Sequence, residues 1–91
     1  MKAWQLLSSP ARFCRGPLAR DSKGYPIGVD EVGACRWCLV GSLMRCYKGK
    51  RFFACYAKLC RKFDIGKADL GIYSDTHGWR AVHRLLKKLN I

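Results

Sequence analysis

Between Glu31 and Asp64 the chain carries Arg36, Arg45, Lys48, Lys50, Arg51, Lys58, Arg61 and Lys62 without a single acidic residue. Trp37, Leu39, Phe52, Phe53, Tyr56 and Leu59 are interleaved with these cations. A stretch that must bury the second set while keeping the first in water can fold only as amphipathic elements, apolar on one side and charged on the other. Across the whole chain Lys and Arg outnumber Asp and Glu by 18 to 6. Such a field concentrates polyanions, nucleic acid above all. A chain of 91 residues, 49% of them hydrophobic, holds one core, and the expected unit is a single domain over residues 1–91.

Spacing divides the chain into elements. Trp4, Leu6 and Leu7 share one face of a short helix from Lys2 to Ser8, which Pro10 ends. Around Ser22-Lys23-Gly24, the segment near residues 17 to 29 reads as a small β-hairpin, with Pro17 and Pro26 holding its strands to edge positions. Asp30 is a good N-cap, and Val32, Cys35, Leu39, Ser42 and Cys46 follow helical spacing, which predicts a helix over 31 to 47. Lys48-Gly49-Lys50 breaks it, and Phe52, Phe53, Tyr56, Leu59, Cys60 and Phe63 predict a second helix over 50 to 63. The turn-rich stretch from Gly66 to Gly78 holds Leu70-Gly71-Ile72-Tyr73, a bridge strand or a loop. Trp79, Val82, Leu85, Leu86 and Leu89 predict an amphipathic last helix over 79 to 89, with Arg80, Arg84, Lys87 and Lys88 opposite. The fold class is α+β: three to four helices packed together with a small hairpin at one edge. Leu39, Phe53, Cys60, Val82 and Leu86 are the expected core.

Cys35-Arg36-Trp37-Cys38 has the spacing that lets two thiolates share one zinc ion, with Cys46, Cys55, Cys60, His77 or His83 to complete the set. The pair runs into an apolar helical stretch, however, and the further spacings match no zinc module. Buried, reduced cysteines are the expectation, with a zinc or redox protein as the alternative. Six acids and two histidines show no diagnostic pairing for acid–base chemistry, and Gly66, Gly71 and Gly78 are too widely spaced for a phosphate loop. No enzyme, cofactor or small-molecule substrate is expected. The first ten residues contain no apolar run long enough for a leader or a membrane span, so the expected compartment is the cytoplasm, with no membrane partner.

The expected binding residues are Arg45, Lys48, Lys50, Arg51, Lys58, Arg61, Lys62, Arg80, Arg84, Lys87 and Lys88. Their partner is nucleic acid or a nucleoprotein complex. Gly16 with Ala19-Arg20-Asp21 and Gly24; Ala34 with Trp37-Cys38-Leu39 and Gly41-Ser42-Leu43; and Ser74-Asp75 with Val82 and Leu85-Leu86 together carry a resemblance. On these residues, Phe13 to Leu89 resembles a family of small bacterial and phage proteins known only as a domain of unknown function. Ser74 stands where that family has Asn, and Ser42 where it has Ala. The resemblance implies a small mixed α/β fold and a phage or bacterial accessory role in the host cytoplasm. Context and charge together suggest a phage-type inhibitor docking on a host defence complex. That target is a CRISPR surveillance complex, with its guide RNA and surrounding subunits, or a nuclease. The alternative is a DNA- or RNA-binding regulator, which the absence of any helix-turn-helix spacing, RNA-binding sheet signature or zinc finger disfavours.

Leu86→Asp would bury an unpaired charge and should destabilise by about 3 to 5 kcal/mol, enough to unfold so small a domain. Its thermal melt should show no cooperative transition at ordinary temperature, whereas a wild-type melt would contradict the placement of the last helix.

Overall fold

Backbone pairing, not helical periodicity, decides the fate of residues 34 to 38. The computed structural model describes residues 1–63 and 69–91. In it Ala19–Arg20 (β1) pairs antiparallel with Arg36–Trp37 (β2), Ala19 opposite Trp37 and Arg20 opposite Arg36. Cys35 N donates to the Arg20 carbonyl and Cys38 N to that of Leu18. Trp37 is 5% exposed and its indole N–H donates to the Val29 carbonyl at 3.0 Å. A buried, hydrogen-bonded Trp within a strand pair is worth more than the modest helical propensity of the residues before it.

The predicted helix over 31 to 47 is therefore shorter, Leu39–Cys46 (α2). Asp30 does not cap it, and Val32 lies fully exposed. Cys38 is the N-cap instead, its Sγ accepting from Gly41 N at 3.3 Å. A second orphan donor of this helix, Leu39 N, gives its hydrogen bond to the buried Ser74 Oγ at 3.1 Å, so a distant residue completes the cap. The expected turn around residues 22 to 24 does form, with Asp21 N donating to the Tyr25 carbonyl and Gly24 N to that of Asp21. Arg20 bridges to Pro26 there, but the lasting partner of β1 is β2.

The first helix, Ala3–Leu6 (α1), is one turn long. It is held by Ala3 N donating to the Ile91 carbonyl at 2.7 Å and by the Trp79 indole N–H donating to the Leu7 carbonyl at 2.7 Å. The second long helix is Lys50–Phe63 (α3), as the spacing predicts. The last is longer than expected, Asp69–Lys88 (α4), with Leu70 and Ser74 buried on its first half. Gly78 interrupts it at φ 80°, a left-handed backbone that glycine adopts without strain. The part after the kink carries the predicted stripe, with Val82 and Leu86 fully buried and Leu85 nearly so. Asp64 and Gly66 lie outside the described residues.

α2 is the hub: Leu39 and Leu43 are buried among Ala3, Leu6 and Leu7 of the N-terminal segment, Leu59 of α3, and Leu70, Val82 and Leu86 of α4. Leu39, Val82 and Leu86 thus lie in the core as expected and Cys60 packs against its edge, whereas Phe53 is 64% exposed. Adjacent residues on a helix point about 100° apart, so only one of Phe52 and Phe53 can face α2. Phe52 takes that place, in line with Leu59 one face-repeat on.

Gly41 is where α2 meets the segment before β1. A Cβ there would stand 1.9 Å from the Leu18 carbonyl oxygen, which backbone pairing holds in place. Gly41→Ala should therefore lower stability by about 3 kcal/mol, at the upper end of overpacking costs. Gly71→Ala, with nothing within 4 Å of the added atom, should raise it by about 0.5 to 1 kcal/mol through helix propensity. Paired denaturant melts check the opposite signs.

Candidate nucleic-acid interface

The predicted basic residues divide into two groups. Arg45 and Lys48, at the end of α2 and in the turn after it, both reach Asp30, at 3.7 and 2.5 Å. Lys48 Nζ also donates to the Met44 carbonyl at 2.6 Å. The pair brace the 30–33 turn against the helix, and their charge is partly spent there. Lys50, Arg51, Lys58, Arg61, Lys62, Arg80, Arg84, Lys87 and Lys88 are all exposed. Among the described residues none of these forms an ion pair with a carboxylate. Asp21 and Asp75 accept from backbone N–H groups at Lys23, Tyr25 and Gly16, and Glu31 from that of Gly28.

Helical geometry explains the exposure. Leu59 faces the core, and at about 100° per residue Lys50, Ala54, Ala57, Lys58 and Arg61 fall within the opposite half of α3. Each is exposed. The two basic helices meet where Lys58 Nζ donates to the Leu89 carbonyl at 2.9 Å. That carbonyl lies just beyond the C-terminal end of α4, where orphan C=O groups favour a cation. Lys2 Nζ donates to the Asn90 carbonyl beside it. Lys58 of α3 thereby reaches the end of α4, whose last turn carries Lys87 and Lys88.

An aromatic group lies along the same part of α4. The His83 ring stacks on Trp79 with centroids 5.2 Å apart and meets Trp4 edge-on at 6.4 Å, and the Lys87 ammonium stands 5.5 Å over the Trp4 ring. His83 is thus a packed ring beside the basic residues. Between α1, α2 and α3 a cavity of about 510 Å³ is lined by Lys2, Cys46, Tyr47, Arg51, Cys55 and Asn90 among others. Arg51 borders this cavity, whereas Lys50 and Arg61 belong to the open face.

The cysteines are free. Cys35 and Cys38 do not lie inside a helix as their apolar surroundings suggest: one precedes β2 and the other caps α2. Among the described residues no three His, Cys, Asp or Glu side chains come together as a metal centre would need. Burial pushes the Cys38, Cys46 and Cys55 thiols above their ordinary range. The effect is largest at Cys14, raised to about 11 by burial first and then by the neighbouring Cys38. Its Sγ–H donates to the Pro17 carbonyl at 3.5 Å, a bond that only the neutral thiol makes. A protonated, buried thiol is a poor nucleophile and a poor metal ligand.

No family model, curated protein or solved structure matches the chain. No helix among the described residues is long and apolar enough to cross a membrane. The sequence reading missed the exposure of Phe53, the pairing of Asp30 with Arg45 and Lys48, and the Trp4 cluster. Only the Trp79, His83, Lys87 spacing of four hinted at the last.

Above pH 9.0, the ordinary thiol value, the unfolded chain gives up the Cys14 proton while the folded chain keeps it. The stability tied to this group is therefore complete below pH 9 and is lost as pH rises through about 11, by about 3 kcal/mol at 1.4 kcal/mol per unit. Melting temperature should fall across that window, and Cys14→Ala should flatten part of the decline.

Proposed function

We propose that this is a small non-enzymatic binding protein whose α3–α4 cationic face engages nucleic acid, free or exposed within a nucleoprotein complex. One observation carries the reading: the cations of α3 and of α4 beyond its kink are exposed, joined at Lys58 and Leu89, and have no carboxylate partner among the described residues. Ion pairing within the protein would neutralise such residues, so leaving them open to solvent keeps the field available to an outside polyanion. In the setting that the phage and bacterial resemblance implies, the natural target is a host defence complex, and bound protein would obstruct the path of nucleic acid through it.

Salt tests the proposal. Phosphate contacts release counterions, so affinity for nucleic acid should fall steeply and linearly on logarithmic axes as salt rises. Neutralising Lys50, Arg61, Arg84 and Lys88 to Gln, all exposed, should leave the melt unchanged. It should cost roughly 1 kcal/mol of binding per residue and lower the salt slope by about one unit per residue. Capture from bacterial lysate with and without nuclease supplies the biological arm. Partners retained after nuclease treatment and in high salt, together with unchanged binding by the neutralised protein, would contradict the reading and point to a protein surface as the target.

A further inference from the structure

We propose that α3 is a recognition helix that lies in the major groove of duplex DNA, an inference that rests on the nucleic-acid reading above and narrows it. α2 and α3 are joined by residues 47–49 alone, with Gly49 at φ 56° making the turn. A short helix, a tight turn containing glycine and a longer exposed helix form the order in which a supporting helix presents a reading helix to DNA. The sequence already places a break at Lys48-Gly49-Lys50 between two helices, and the structure shortens the first of them to Leu39–Cys46.

The turn is fixed from both sides. Tyr47 donates its hydroxyl to the Ile91 carbonyl at 2.7 Å, and Lys48 is held by Asp30 and the Met44 carbonyl. Beneath it, α2 is buried and capped at its start by Cys38 and Ser74. α3 is thus presented from a rigid base, with the ordering of its support already complete before any ligand arrives.

The outer surface of α3 suits a groove. Lys50, Phe53, Ala57 and Arg61 recur at i, i+3, i+7 and i+11 and share one face, with Lys58 beside them, and all are exposed. Lys50 and Arg61 stand along the middle of this face and Lys58 to one side of it, where they can meet phosphates as the helix enters the groove. Phe53, 64% exposed and braced edge-on by Phe52 at 5.3 Å, supplies an apolar contact of the kind thymine methyl groups accept. A helix about 10 to 12 Å across fits the roughly 12 Å major groove of B-DNA but not the deep, narrow one of duplex RNA. The α4 cations then lie toward the backbone as phosphate contacts.

Fluorescence anisotropy with a mixed-sequence DNA duplex, the same sequence as duplex RNA, and heparin as competitor tests this. The DNA duplex should bind at least tenfold more tightly than duplex RNA. Ala57→Leu and Phe53→Ala are both charge-neutral changes at exposed positions. Each should weaken binding to the DNA duplex by about tenfold while leaving heparin binding and the melt unchanged, and either one suffices should the other disturb folding. Equal affinity for DNA and RNA duplexes, with both variants binding like wild type, would overturn the groove while leaving the nucleic-acid reading standing. Absence of binding to any nucleic acid would overturn both.

Discussion

The seat of α2 holds the rest of the molecule in place. Its first turn is clamped between the Leu18 carbonyl, against which Gly41 packs without a side chain, and Ser74 of α4, which completes its cap. Those two contacts join the strand region, the central helix and the last helix at one point. The core around Leu39 and Leu43 follows from it, and so does the orientation of α3, which has no packing partner as intimate as α2. A methyl group on Gly41 or the loss of the Ser74 hydroxyl would leave a strained contact or an orphaned backbone donor in a buried place, the kind of local fault that a small domain absorbs poorly.

This anchoring also explains where the charge ends up. With one side of α3 committed to α2 through Phe52 and Leu59, and one side of α4 committed through Val82 and Leu86, the cations have no inward route. Asp30 draws off Arg45 and Lys48, and Asp21, Glu31 and Asp75 accept from backbone N–H groups. The uncompensated field is therefore a product of packing as well as of composition. Its partial neutralisation near α2 directs the open charge toward α3 and the end of α4.

Much of this was legible in the amino-acid order. The α3 boundaries and the inward stripe of Val82, Leu85 and Leu86 follow from three-to-four-residue spacing, because amphipathic periodicity over ten or more residues is a strong local signal. What escaped was set by distant partners. Residues 34 to 38 have helical spacing but are claimed by β1 through backbone hydrogen bonds, and Asp30, an acceptable cap by type, is taken by Lys48. Leu70 to Tyr73 lies in a glycine-rich stretch yet is helical, with Leu70 and Ser74 one turn apart facing the core. Phe53 could not be placed from sequence, since two adjacent aromatics compete for one inward position and only the path of α2 decides between them.

The account depends on one claim, that the outer half of α3 and the α4 segment after Gly78 form the binding surface while α2 serves only as its support. Backbone amide NMR during titration with duplex DNA tests it residue by residue. The account predicts shift changes concentrated at Lys50, Phe53, Ala57, Arg61, Arg84 and Lys88, with Leu39 to Leu43 unmoved. Changes confined to the segment from Phe13 to Trp37, with α3 silent, would contradict it.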